Sequence, residues 1–146
     1  MAATNRYRNL SVSWTPTSGG SATPLTGIKS ANYDEGNQVL EEAADFDAYH
    51  TVGGVIMSNP KITVETIDAF ALFATVAGTK GTLAVTYRDH ANGATTAGGA
   101  KLITMSNAYL GERTVQSQYN QLGHQSITFH SISTDGSTSP IAVTAL

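Results

Sequence analysis

The feature that most constrains this chain is a period of two. In "GTLAVTYRDH", residues 81–90, Leu83, Val85 and Tyr87 alternate with small and polar residues. Successive side chains of an extended strand point to opposite faces, so this pattern buries one face and wets the other. "NLSVSW" repeats it with Leu10, Val12 and Trp14, and "KITVET" with Ile62 and Val64. "LTGIKSANYD" alternates as well, and Ile127, Phe129 and Ile132 do so around a predicted bulge. Between these runs lie "TPTSGGSATP" and "ANGATTAGGA", rich in turn-forming residues. Short alternating runs with such punctuation predict a mainly β protein, an antiparallel β-sandwich or barrel.

One segment breaks the pattern. Residues 67–77 predict a single flanking α-helix: Thr66 as its cap, Asp68 in the first turn, and Gly78 as a left-handed stop. Ala69, Leu72, Phe73 and Val76 fall on one helical stripe, broadened by Ile67 and Phe70. So apolar a helix belongs against a sheet face, which puts Leu72 and Phe73 in the core. Residues 39–54, "VLEEAADFDAYHTVGG", show neither period and mix carboxylates with Phe46 and Tyr49. An excursion this long in a compact domain is expected to be functional, here by reaching outside its own domain to a neighbour.

The 146 residues predict one domain, 1–146, with a short N-terminal arm over about residues 1–6. There is no cysteine, which removes disulfides, thiol catalysis and thiolate metal sites together. No run of 18 apolar residues predicts a membrane-spanning helix, and "MAATNRYRNL" lacks the apolar stretch of a signal peptide, which reads as a cytosolic product. Only 13% of residues are charged, against about 25% in an ordinary soluble domain. Strand edges are usually protected by charge, and so sparing a supply points to edges paired in an assembly. The charges are also unevenly placed: residues 1–33 carry +3, residues 34–68 carry −7, and the remainder +1. That asymmetry fits an acidic loop facing solvent or head-to-tail contact between copies, and in the second case one end of each copy complements the other. Arg6, Arg8 and Lys29 would meet Glu41, Glu42, Asp45 and Asp47, with Phe46 and Tyr49 in the same interface.

A search for chemistry yields little. No G-x-S-x-G, G-x-G-x-x-G, P-loop or H-E-x-x-H is present, and His50, His90, His124 and His130 do not pair at i+2 or i+4. Asp45, Asp47 and His50 are the best metal candidates, but they lack the glycine and downstream glutamate of a calcium loop. Glu41 and Glu42, as strand neighbours, would point to opposite faces and could not share a substrate as acid and base. Basic residues form no stripe interleaved with aromatics, so tight nucleic-acid binding is not expected. The expectation is a protein with no catalytic residue, no metal and no cofactor.

The order of elements then becomes informative. A long excursion, a strand, a T-x-D-x-x-x-L segment (Thr66, Asp68, Leu72), "GTKGTL" stepping into a strand, a glycine-rich hairpin and the closing "ITFHSISTDGSTSP" follow one another. This order resembles the tail tube proteins of long-tailed bacteriophages and their relatives in contractile tails, gene transfer agents and secretion systems, over roughly residues 7–140. The resemblance implies a β-sandwich or barrel with one helix, copies assembling as hexameric rings, and rings stacking into a hollow tube. It also implies tail tip or baseplate and tail terminator proteins as partners at the tube ends. A tape measure protein would occupy the lumen and DNA would pass only in transit, without membrane contact. The location implied is the virion tail, after synthesis in the host bacterial cytoplasm. From the residues alone a second reading stays open, a monomeric β-sandwich binding module, for example for carbohydrate, stacking sugars on Trp14, Tyr49 or Tyr109.

Overall fold

The computed structural model describes residues 11–17, 19–43, 46, 48–49, 52–88 and 100–145. Their strands are β1 (Ser11–Pro16), β2 (Thr23–Pro24), β3 (Ile28–Asp34), β4 (Gln38–Glu42), β5 (Val52–Met57), β6 (Lys61–Thr66), β7 (Lys80–Arg88), β8 (Ala100–Gln116), β9 (His124–Ser131) and β10 (Ile141–Ala145). Every pairing is antiparallel. Among the described residues, the main sheet runs β2-β1-β7-β8-β9-β6-β3 with β10 also on β8, while β4 and β5 pair only with each other.

The sheet curls over itself. In a flat sheet β1 and β9 would stand three strand spacings apart, about 14 Å at ~4.8 Å per strand. Instead the rings of Trp14 on β1 and Phe129 on β9 lie 5.3 Å apart, centroid to centroid. The two ends of the path are also tied together by residues 25–27, which join β2 to β3. Leu25 N–H donates to the Val12 carbonyl, while the Thr66 hydroxyl donates to the Thr26 carbonyl and Ile67 N–H to that of Gly27. The alternating residues meet inside: Val12, Trp14, Ile62, Val64, Leu83, Val85, Ile127 and Phe129 are all buried. Gly81 makes room for Trp14, since a Cβ there would sit 2.8 Å from the indole ring.

β8 organises one wall. Its 17 residues pair with β7 along the first half and β9 along the second. β10 takes up residues 101–105 on the edge where β9 leaves off, running in the same direction. Between them, residues 132–140 bulge outward around Asp135. The carboxylate accepts from Ser133 Oγ, from the N–H groups of Ser137 and Thr138, and from Thr138 Oγ1. Ile132, expected inside, opens this excursion and is exposed.

The flanking helix expected over residues 67–77 is not formed; the segment is a strap of consecutive turns across one end of the barrel. Its start and stop signals are in place: Asp68 N–H donates to Thr66 Oγ1, and Gly78 has φ +89°. Between them the bonds close from i to i+3, as in Ala71 to Asp68, Phe73 to Phe70 and Thr75 to Leu72. Leu72 itself sits at φ +52°, a left-handed conformation that ends any helical run. The Leu72 and Phe73 carbonyls, which a helix over 67–77 would pair with the N–H groups four residues on, accept from Arg113 of β8, as does that of Thr75; the Leu72 carbonyl also takes the Thr75 N–H. In this geometry Leu72 packs against the core, but Phe73 is 54% exposed, not buried as the helical stripe predicts. Ile67, Phe70 and Val76 are exposed with it.

Candidate assembly surfaces

β4 and β5 form a hairpin arm, the excursion that carried no readable period. Val39 stands opposite Val55, Leu40 opposite Gly54, Glu41 opposite Gly53 and Glu42 opposite Val52, with a bulge after Gln38. Every residue of β4 is exposed, and so are Val55, Ile56 and Met57. An isolated two-stranded hairpin is at best marginally stable in water, and this one leaves apolar side chains uncovered.

Its root is nevertheless well fixed. Ser58 Oγ donates to the Glu35 carbonyl and to Asn37 Oδ1, Asn37 Nδ2 to Glu35 Oε2, and Gly36 N–H to Asp34 Oδ1. Asn59 N–H closes the root onto the Glu35 and Gly36 carbonyls. Gly36, at φ +61°, is required there: a Cβ would run into the Asn59 carbonyl. Beside the root, Ile56, Met57, Ser58 and Pro60 face residues 133 and 136–140 across a cleft of about 400 Å³. The Asp135 hydrogen bonds hold that loop in shape, and they keep the carboxyl well below the usual carboxylate range.

Of the residues expected at an interface, Glu41 and Glu42 lie exposed on β4, and Phe46 and Tyr49 lie exposed between the two strands of the arm. Lys29 is exposed on β3, toward the strap end of the barrel rather than beside the hairpin root. Arg6, Arg8, Asp45 and Asp47 lie outside the described residues, as do His50 and His90. Residues that sequence reasoning passed over are the arm's own apolar set, Val39, Leu40, Val55, Ile56 and Met57. Their signal was hydrophobicity without period, which distinguishes neither strand nor helix.

A second exposed apolar surface covers the strap. Phe70 and Phe73 meet edge to face, centroids 5.4 Å apart, and the Arg113 guanidinium lies 5.5 Å from the Phe73 ring centre. The β8–β9 turn adds Tyr119 and Leu122, both largely exposed.

His124 Nε2 is 2.7 Å from Gln116 Oε1, and His130 stacks on Tyr109 and lies 3.5 Å from Glu112. Among the described residues no three His, Asp or Glu side chains gather as a metal site would need. Trp14 is buried under Phe129 and so cannot serve as a sugar-stacking platform.

No protein-family model matches the chain, and no curated protein matches it in sequence. Solved structures do match in fold. A chain of the anti-feeding prophage (AFP) baseplate, 6-fold symmetrised, is 8% identical with a TM-score of 0.57, over 94% of this chain and 93% of that one. A chain of the PVC sheath-tube complex, an extracellular contractile injection system in its extended state, is 16% identical with a TM-score of 0.57, covering 94% and 89%. A chain from the tail of an empty GTA particle, refined with C6 symmetry, is 10% identical with a TM-score of 0.58, covering 94% and 97%. This chain is therefore similar in fold, along nearly its whole length, to components of contractile injection systems and of a GTA tail, the kind of particle to which its element order points.

Proposed function

We propose that this protein is a structural subunit of a phage-like tail, assembling with copies of itself into the tail tube. The observation that carries the reading is the hairpin arm: a rooted, apolar, two-stranded projection on a fold shared with tail components. A monomer in water gains nothing from such an arm, whereas an assembly covers it. Two strand edges point the same way, since among the described residues β3 pairs only with β6 and β10 only with β8.

The finer reading is a set of hexameric rings, by analogy with the sixfold symmetry named for two of the similar structures, stacked into a hollow tube. Ring contacts join the open edges of neighbouring copies, and the arm reaches a different copy. Arg6, Arg8 and Lys29 of one subunit face the acidic arm of another, including Glu41, Glu42, Asp45 and Asp47, with Phe46 and Tyr49 as apolar contacts. All 146 residues act as one such domain, with the first six or so as an arm. Baseplate and terminator proteins close the tube ends, a tape measure protein fills the lumen during assembly, and DNA passes through it. The subunit is made in the host cytoplasm and performs no catalysis.

Deletion of residues 43–49, the tip of the arm, is the test. The variant should keep a wild-type β circular dichroism spectrum and a cooperative melt, yet lose the long assemblies that wild type forms in sedimentation. Tubes of normal length from the deletion variant would remove the arm from the account.

A further inference from the structure

Strand β6 separates two apolar surfaces of the same molecule. The hairpin root enters it at Lys61, and the strap leaves it after Thr66, five residues or about 17 Å further on at ~3.3 Å per residue. The β8–β9 turn lies at the strap end too, because Gln125 pairs with Thr66 and a Cβ on Gly123 would lie 3.2 Å from that of Ala69. The arm and the strap surface thus occupy opposite ends of the barrel.

The strap surface is built rather than incidental. Arg113 holds three strap carbonyls and lies against the Phe73 ring, and Phe73 in turn fixes Phe70. Leu122, on the adjoining turn, is 79% exposed, and Phe70 is 68% exposed. Charge complements the apolar match. The arm, residues 38–57, contains four carboxylates and no lysine or arginine. At the strap end Lys29 and Lys80 stand exposed at the ends of β3 and β7, with Glu65 and Asp68 also at that end and Arg113 beneath.

We propose that the strap end, centred on Phe70, Phe73 and Leu122, is the receptor for the hairpin arm of a second copy of this chain. The inference rests on the self-assembly reading and adds to it which surface meets which. Both halves of the contact are present once on each molecule and at opposite ends. Such a heterologous contact repeats without limit and stacks copies in one direction. It covers the apolar sides of β4 and β5 and the aromatic pair in one step, and it brings the acidic arm toward Lys29 and Lys80. Arg113 acts as a positioning residue, shaping the strap without needing to touch the arm.

The test uses two full-length variants at exposed positions, Phe70→Asp on the strap and Val55→Asp on the arm, each checked for a wild-type melt. In sedimentation each alone should lose the long assemblies that wild type forms. An equimolar mixture should then give a discrete species of twice the mass, because the intact arm of one variant meets the intact strap of the other and the remaining ends are blocked. Phe70→Asp assembling as wild type does, or a mixture in which the variants fail to pair, would overturn the receptor assignment while leaving self-assembly standing. Wild type that stays at 15.2 kDa would remove the self-assembly reading itself, and this inference with it.

Discussion

Replacing Arg113 with methionine isolates the bond set that turns the strap from a helix into a chain of turns. The guanidinium donates from Nη2 to the carbonyls of Leu72 at 2.7 Å and Thr75 at 3.0 Å, and from Nη1 to that of Phe73 at 3.3 Å. The first two are well formed and partly buried; the third is long and exposed. A hydrogen bond to a charged group contributes about 1.5–3 kcal/mol net, and stranding a partly buried acceptor costs about 1–3 kcal/mol. Three bonds from one group are not additive, and water can reach part of the site, so the loss should be about 2–4 kcal/mol. Methionine keeps the apolar stem and removes only the fork. Arg113→Lys should recover little, because a compact ammonium cannot span three carbonyls as a planar fork does. Urea denaturation gives the total, and amide exchange locates it: Phe73 and Thr75 should lose protection while β9 keeps its own. If Arg113→Met unfolds within about 0.5 kcal/mol of wild type and the strap amides stay protected, the latch does not exist and Leu72 is held by something else.

Phe129→Ala, fully buried against Trp14, should cost about 3–5 kcal/mol, whereas half-exposed Phe73→Ala should cost well under that; equal costs in thermal melts would place Phe73 in the core after all. Asp135 is held well below the usual carboxylate range, so its bonds stabilise the 132–140 loop fully above about pH 4 and are lost only as pH falls through that depressed value. An NMR titration of its side-chain carboxyl should therefore show a midpoint clearly below the ordinary one, and a midpoint near 3.9 would contradict the hydrogen-bond set. Reversing Arg6 and Arg8 to glutamate should slow polymerisation at low salt, with high salt narrowing the gap; wild-type kinetics at low salt would leave the charge asymmetry without a role.

What could be read from the sequence was whatever depends on local alternation. Val12 and Trp14, Ile62 and Val64, Leu83 and Val85, Ile127 and Phe129 each declared a buried face, because a strand with one dry side repeats every second residue. The strap was misread for a reason of distance. Its cap at Thr66 and stop at Gly78 are local and were correct, but Arg113 lies 41 residues beyond Leu72 and overrides the helical preference between them. The arm was illegible as strands for the opposite reason. Its described residues are exposed on both faces, so Val39 beside Leu40 and Gly53 beside Gly54 follow no alternation.

Electron microscopy of the purified wild-type protein tests the central claim most directly. Self-assembly through the arm and the open strand edges predicts stacked rings or tubes with a central channel, growing longer as protein concentration rises. Fields without rings or tubes, from a sample that sediments as a single 15.2 kDa species, would contradict it.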